Sequence, residues 1–451
     1  MKLSCLFSIA LAGAVLGTGA ANAAPATTNQ SKTTAKHTTA HHVRTHQATV
    51  HRVHTAVRAS SAHRTVVRTA SKSAHTAKSR TATRTTARTR SRATVRTRSK
   101  ATLRRASLHT RRHRYYERFT ASSFVKDGTQ GVGDITAGED PVVRQAAIDA
   151  LGDMNGTAVV INPANGRILA MVNQKLALSP GAEPCSTIKL SVALAALSEG
   201  IVTRDTMVKL PGFRMNMTQA LAHSNNLYFE ELGRELGFAR VHRYATEFGL
   251  GELAGYHIQG EQLGEYPSQP IPASEGGVGR MCSFGQGVSM TPLQLGAIVM
   301  SIANGGTLYY LQHPTDQAEV ANFQPRIKRK LNIAKYIPDV EDGMAGAVEY
   351  GTARRLRANF HELPVFGKTG TCSDKGTRFG WFASYSDSPQ GSLVTVFFLE
   401  GGRPTFGPRA AELTGQFYKN LWDSNYFKSQ DEQDTQTASA APADASRGGG
   451  Q

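Results

Sequence analysis

The order of apolar and polar residues predicts a folded region that begins near residue 140 and opens with a helix and a hairpin. Apolar residues recur at helical spacing from Pro141 to Leu151. A continuous apolar run from Gly156 to Ile161 is typical of a buried strand, and a returning strand runs from Arg167 to Val172. The residues between them, 162–166, are of the types that favour tight turns, so the two strands predict a β-hairpin.

Helices and strands continue to alternate along the rest of this region. The segment from Leu190 to Leu197 is apolar on every face, which predicts a helix buried in the protein core. Residues 260–279 are polar and contain several Gly and Pro, so they predict a loop region. Residues 364–372 predict an edge strand whose central glycine marks a close approach by another backbone or by a ligand. The other predicted elements are helices at 232–248, 292–303 and 410–422 and strands at 378–385 and 392–400.

The first 23 residues have the pattern of a secretory signal. Lys2 precedes an apolar stretch from Leu3 to Ala20, and residues 21–23 fit a cleavage site between small residues. An uncleaved membrane anchor is the alternative, because the apolar stretch is close to the shortest length that spans a bilayer. We expect a leader at residues 1–23 that takes the protein across the cytoplasmic membrane, into the periplasm or cell envelope.

Residues 24–118 consist mainly of Thr, Ala, Ser, His and Arg. Between Ser31 and Arg118 there are about 23 Lys or Arg and a single acid, Glu117, whereas the whole chain has a net charge of +18. The basic excess therefore belongs to this segment. It has too few apolar residues to form a core, so we predict a disordered linker, and a second disordered tail at residues 426–451.

The charge of the linker also restricts its partners. A protein exported from the cytoplasm does not meet nucleic acid, so we expect anionic envelope polymers or a membrane surface instead. A solvated tether with no specific partner is the alternative. The chain has no Cys/His cluster with metal-ligand spacing, and we expect neither a metal nor a cofactor.

A candidate nucleophile stands at the start of the buried helix. Ser186 and Lys189 are three residues apart, so their side chains meet on one helical face. A serine hydroxyl needs a base to act as a nucleophile, and burial disfavours the charged form of lysine, which makes it a base. Ser123 and Lys126 have the same spacing but open no apolar helix, which shows that the pair alone is a weak signal.

Two further motifs make the signal specific. Ser224 and Asn226 form a Ser-x-Asn motif, and residues 368–371 read Lys-Thr-Gly-Thr. With Ser186-x-x-Lys189 this ordered triple resembles the transpeptidase domain of penicillin-binding proteins. Residues 156–166, 283–287, 291–294, 303–306 and 351–352 support the resemblance. It implies an α/β domain at residues 125–425, with a mainly antiparallel sheet flanked by helices and a helical subdomain.

The resemblance also implies a substrate and roles for these residues. Stem peptides of peptidoglycan that end in D-Ala-D-Ala, and β-lactams that mimic them, acylate Ser186, with Lys189 as the base. Ser224 relays a proton to the leaving amine. The groups implied in substrate binding are Asn226 for an amide, Lys368 with Thr369 or Thr371 for the terminal carboxylate, and Gly370 between them. The backbone N–H groups of Ser186 and Thr371 are implied as the oxyanion hole.

The sequence departs from the family at Cys185, where the family has a glycine before the nucleophile. Cys185 and Cys372 both flank motifs that converge on one pocket, so their side chains could approach each other. Strand alternation turns Cys372 to the opposite side from Thr371, which we interpret as away from the cleft. Because a disulfide also has strict geometry, free thiols are favoured at these positions, and a Cys185–Cys372 disulfide is the alternative.

Two other functions remain open. A serine β-lactamase shares the acylation step but needs a base for deacylation, and Glu252, Glu261 and Glu265 are the carboxylates in the corresponding loop. A non-catalytic module that binds peptidoglycan would not need intact catalytic motifs. The intact motifs favour a serine-type D,D-transpeptidase or D,D-carboxypeptidase.

Overall fold

The computed structural model describes residues 121–126, 129–388 and 390–428. The predicted leader at 1–23 and the predicted linker at 24–118 lie outside the described residues, as does nearly all of the tail predicted at 426–451. These three segments therefore remain predictions, as do the boundaries of the predicted domain.

The described residues alternate helices with short strands. The α-helices are α1 (Pro141–Leu151), α2 (Gln174–Ala177), α3 (Lys189–Ser198), α4 (Met217–Ala222), α5 (Asn226–Glu247), α6 (Gly277–Phe284), α7 (Pro292–Ala303), α8 (Gln317–Ala321), α9 (Ile337–Glu349) and α10 (Gly407–Asp423). The strands are β1 (Gly156–Ile161), β2 (Ile168–Val172), β3 (Val208–Leu210), β4 (Phe213–Met215), β5 (Thr307–Tyr309), β6 (Ile327–Lys330), β7 (Val365–Asp374), β8 (Thr377–Ser386) and β9 (Leu393–Gly401). No helix in this part of the chain is both long and apolar enough to cross a bilayer.

Five strands form one antiparallel sheet in the order β2-β1-β9-β8-β7. Side chains alternate between its two faces: Val159 and Ile161 pack into one apolar cluster, and Ala158 and Val160 into another. The predicted fold class, an antiparallel sheet flanked by helices, is confirmed. β7 lies at one edge, as predicted for residues 364–372.

Helices cover both faces of the sheet. One apolar cluster includes residues of α3, α5 and α7, and the other includes residues of α1 and α10. Every residue of α3 from Lys189 to Leu197 is buried, which explains why the segment is apolar all round. Because Lys189 is the first residue of this enclosed helix, its amine lies inside the protein.

Two sequence-based boundaries differ from the structure. Helix α5 begins at Asn226 rather than at 232, because the Asn225 side chain accepts a hydrogen bond from the Tyr228 N–H and caps it. Helix α6 extends into the predicted loop at 260–279. Its close packing on α5 needs small residues: a Cβ atom on Gly233 would lie 2.7 Å from the Cys282 sulfur. The glycines near this contact therefore reflect helix packing as well as turns.

Candidate active site

Ser186 lies in a tight turn that leads directly into α3. The turn is a 3-10 helix at Cys185–Ile188, and the Thr187 hydroxyl closes it by donating to the Pro184 carbonyl at 2.7 Å. Because Ser186 and Lys189 are three residues apart on this helical path, Ser186 Oγ is 2.8 Å from Lys189 Nζ. The structure brings the predicted pair together.

The Lys189 amine is fully buried among oxygen atoms that carry no net charge. Its Nζ lies 2.9 Å from the Ser224 carbonyl oxygen, 3.1 Å from Ser224 Oγ and 2.6 Å from Asn226 Oδ1. Burial, together with the positive charge of Lys368, holds the pKa of Lys189 well below its usual range, although Glu230 opposes this shift. The surroundings of Lys189 thus favour its neutral amine.

Ser224 lies between Lys189 and a second lysine, Lys368. It stands between α4 and α5 with φ of 53°, a left-handed conformation that non-glycine residues rarely adopt outside functional or strained sites. Its Oγ is 3.1 Å from Lys189 Nζ and 2.8 Å from Lys368 Nζ. One hydroxyl therefore bridges the two amines.

Lys368 is also fully buried, near the centre of β7. Its Nζ donates to Ser224 Oγ at 2.8 Å and to the Thr369 carbonyl oxygen at 3.0 Å. Burial lowers the pKa of Lys368 to about 7. The site therefore holds a second amine whose charge changes near neutral pH.

Gly370 allows β7 to lie directly against the nucleophile turn. A Cβ atom at this position would come within 2.8 Å of the Pro184 carbonyl oxygen, which is too close for a side chain. The predicted close approach at the glycine of this strand is confirmed. Trp381, on the neighbouring strand, donates from Nε1 to the Glu183 carbonyl at 3.0 Å and anchors the same turn.

The two threonines of the Lys-Thr-Gly-Thr motif bond to groups outside the other motifs. Thr369 donates from Oγ1 to Thr352 Oγ1 at 2.7 Å. Thr371 Oγ1 accepts from the Gly407 N–H at the start of α10, at 2.8 Å. The Thr371 hydroxyl donates to no acceptor in the described residues, so its hydrogen can be donated to a ligand.

Sequence reasoning missed two features of this site. Asn226 was expected to meet the substrate, yet its Oδ1 accepts from Lys189, which leaves its amide NH₂ as the group for a ligand. Thr352 had no assigned role; its only signal was the Gly351-Thr352 pair that supports the family resemblance.

The second Ser-x-x-Lys pair takes no part here, since buried Ser123 accepts from the Gly402 N–H at 2.8 Å.

Cys185 and Cys372 form a disulfide with 5.6 Å between their Cα atoms, so the expectation of free thiols is wrong. Cys372 does face away from the side chain of Thr371, as strand alternation requires. It shares its face of β7 with Gly370, however, and that face rests on the nucleophile turn. The error was to take the side opposite Thr371 as the side away from Cys185.

The disulfide predicts a defined pattern of alkylation. In protein denatured without reductant, iodoacetamide should modify Cys282 and should modify Cys185 and Cys372 only after reduction. In the native protein Cys282 should not react, because burial raises the pKa of its thiol to about 12 and shields it. Peptide mass spectrometry measures each position, and alkylation of Cys185 before reduction would contradict the cross-link.

Comparison with known proteins agrees with this geometry. The family described as the penicillin binding protein transpeptidase domain matches residues 156–419. The crystal structure of Pseudomonas aeruginosa PBP2 in complex with WCK 5153 has a TM-score of 0.54 and 23% identity, covering 65% of this chain and 76% of that one. At this identity the likeness shows the fold.

Curated relatives match over a similar part of the chain. Stage V sporulation protein D of Bacillus subtilis is 27% identical over 316 residues, which are 58% of this chain and 48% of that protein. Peptidoglycan D,D-transpeptidase MrdA of Acinetobacter baumannii is 24% identical over 364 residues, 64% of this chain and 53% of that protein. The chain thus spans about half the length of these relatives. Because the family match covers more than half of the chain, this protein belongs to the penicillin-binding protein transpeptidase family.

Proposed function

We propose that this protein is a serine acyltransferase that acts on peptidoglycan stem peptides ending in D-Ala-D-Ala, as a D,D-transpeptidase or D,D-carboxypeptidase. One observation carries the proposal: Ser186 Oγ lies 2.8 Å from a buried lysine amine that has no carboxylate among its hydrogen-bond partners in the described residues. An uncompensated buried amine favours its neutral form, which is the form that can take a proton.

In the acylation step, the neutral Lys189 amine accepts the Ser186 hydroxyl proton. Two N–H bonds of that amine point to the Ser224 carbonyl and to Asn226 Oδ1, which leaves its lone pair for Ser186. Ser186 Oγ then attacks the carbonyl carbon of the penultimate D-Ala. The oxyanion that forms is stabilised by the backbone N–H groups of Ser186 and Thr371.

Collapse of this intermediate breaks the peptide bond and releases the terminal D-Ala. Its amine needs a proton, and Ser224 Oγ lies beside Lys189, which holds the proton taken from Ser186. Ser224 can give its own proton to the leaving amine and recover one from Lys189. A second amine, from a neighbouring stem peptide, or water then attacks the ester and regenerates the serine. In a β-lactam the leaving amine stays attached to the acyl group, so it remains near the ester.

The terminal carboxylate of the substrate meets Lys368 and the threonine hydroxyls. Protonated Lys368 supplies positive charge, and Thr371 has a hydroxyl hydrogen available because its oxygen already accepts from Gly407. The carboxylate of a β-lactam occupies the same place. The NH₂ group of Asn226 binds an amide carbonyl of the peptide or of the drug side chain.

A β-lactamase is the second candidate, and the surroundings of two glutamates argue against it. Glu252 pairs with Lys328 and Arg329, and the Glu261 carboxylate accepts from the backbone N–H groups of Ala254 and Gly255. Both carboxylates are engaged outside the Ser186 network, so neither is placed to activate a deacylating water. The third carboxylate, Glu265, is exposed and has no hydrogen bond to the Ser186 network in the described residues. We therefore infer a long-lived acyl-enzyme with β-lactams.

We further propose that the basic segment at 24–118 holds the enzyme to anionic polymers or lipids of the cell envelope. The segment lies outside the described residues, and its charge alone supports the proposal. The predicted leader supports a position at the cell envelope, because it would carry the protein across the cytoplasmic membrane to the proposed substrate.

Ser186 should be the site of a covalent penicillin adduct. Ser186→Ala should abolish labelling by a fluorescent penicillin, and Lys189→Ala should slow acylation by about 10²–10⁴-fold, because proton removal is then unassisted. Intact-mass spectrometry over time measures adduct and lifetime.

The matched control is Ser123→Ala, which alters the other Ser-x-x-Lys pair and should leave labelling unchanged. An adduct that persists for many minutes supports the transpeptidase or carboxypeptidase. Rapid drug turnover would identify a β-lactamase. If the folded protein forms no adduct, the proposed enzyme is wrong and a non-catalytic module that binds peptidoglycan is the remaining function.

The acylation rate constant should depend on pH in a bell-shaped manner. It should rise on the acid side as Lys189 loses its proton and becomes a base. It should fall on the alkaline side as Lys368, with a pKa of about 7, loses the charge that attracts the carboxylate. Lys368→Gln should lower the rate about tenfold or more and remove the alkaline fall. Stopped-flow measurements of penicillin acylation from pH 5 to 10 test this, and an unchanged alkaline limb in the variant would contradict the assignment.

Deletion of residues 24–118 should weaken binding to anionic vesicles and leave penicillin acylation unchanged. Binding of the full chain should fall steeply between low and physiological salt, because exposed charges are screened. Co-sedimentation at several salt concentrations measures this. Equal binding by the full chain and by the truncated protein would support a solvated tether with no specific partner.

A further inference from the structure

Thr352 connects two of the motifs although it belongs to none of them. It follows α9, and its backbone N–H donates to the Ala222 carbonyl at 3.1 Å. Its side-chain Oγ1 accepts from the Thr369 hydroxyl at 2.7 Å. One residue thus bonds the segment before Ser224 through its backbone and the Lys368 strand through its side chain.

These bonds close a ring around the site. Ala222 is two residues before Ser224, whose hydroxyl accepts from Lys368 at 2.8 Å. Lys368 is followed by Thr369, which returns to Thr352. The ring thus connects the proposed proton relay to the strand proposed to bind the carboxylate, and the Thr352 hydroxyl is its contact with Thr369.

The backbone of Thr352 is fixed independently of its side chain. A Cβ atom on Gly351 would lie 2.1 Å from the Ala222 carbonyl oxygen, so the chain here packs directly on the end of α4. The Ala353 N–H donates to the Ala347 carbonyl at 2.7 Å and holds the next residue. The side-chain hydroxyl of Thr352 can therefore be removed while the local fold remains.

We propose that Thr352 is a positioning residue for carboxylate recognition, acting through the hydroxyl of Thr369. The inference rests on the proposed acyltransferase function. A hydroxyl has one hydrogen to donate and two lone pairs that accept. Without substrate, Thr369 gives its hydrogen to Thr352. When a carboxylate arrives, the Thr352 hydroxyl turns to donate to Thr369, and Thr369 gives its hydrogen to the carboxylate.

Thr352→Val and Thr352→Ser separate this role from a structural one. Two ligands are compared on each protein: benzylpenicillin, which carries a carboxylate, and an aryl boronic acid without one, which adds reversibly to the serine. Thr352→Val should slow acylation by benzylpenicillin about tenfold, because the Thr369 hydroxyl that donates to the carboxylate is then no longer oriented by a hydrogen bond with Thr352. Its Kd for the boronic acid should equal that of the wild type, and Thr352→Ser should restore acylation.

A second hydroxyl pair in the same domain is the control. Ser384 and Thr395 are fully buried and 2.8 Å apart between β8 and β9. Thr395→Val should lower the melting temperature. It should not slow acylation by benzylpenicillin while leaving the Kd for the boronic acid unchanged. If Thr352→Val does not fold, Thr352→Ala compared with Thr352→Ser makes the same test, since only serine keeps the hydroxyl.

The outcomes distinguish this inference from the proposed function. Equal losses with both ligands in Thr352→Val, or no loss with either, would overturn the positioning role while the enzyme assignment stands. If the wild type is acylated by no β-lactam and binds no boronic acid, the proposed function fails, and this inference fails with it.

Discussion

The site depends on the burial of two lysine amines that have no carboxylate among their hydrogen-bond partners in the part of the chain that the structure describes. Lys189 and Lys368 are both fully buried, and the hydroxyl of Ser224 lies between them. Each amine favours its neutral form, and each positive charge would disfavour the other. A carboxylate hydrogen-bonded to Lys189 would stabilise its ammonium and oppose the neutral form that can accept a proton. The apolar α3 and the tightly packed β7 maintain this environment.

This constraint lowers the stability of the folded protein. The unfolded chain protonates Lys368 with an ordinary pKa of 10.5, whereas the folded chain does so only at about 7. Between these values the unfolded state binds more protons, so the free energy of unfolding increases as the pH rises. Below about 7 both states are protonated and the destabilisation is complete. The helices on both faces of the sheet must offset it at neutral pH.

The sequence was sufficient to predict those features of the fold and the site that depend on residues close together along the chain. Apolar periodicity located the central sheet and its edge strand, and the Ser186–Lys189 spacing placed two side chains on one helical path. Contacts between distant segments were not accessible in this way. The cysteines that cross-link are 187 residues apart, and alternation along β7 does not reveal which face meets the nucleophile turn. The contact between Asn226 and Lys189 and the bond between Thr352 and Thr369 likewise depend on how separate elements pack.

The position of β7 at the edge of the sheet has a consequence for association. β7 pairs with β8 on one side only, and an edge strand of this kind can pair with another copy of the chain. The far end of β7 is exposed and carries Asp374, and the hairpin turn to β8 carries Lys375 and Gly376, both at positive φ. Charged residues at an open edge hinder the addition of a foreign strand. The charged, exposed tip of this hairpin therefore disfavours edge-to-edge pairing of β7 with a second copy of the chain.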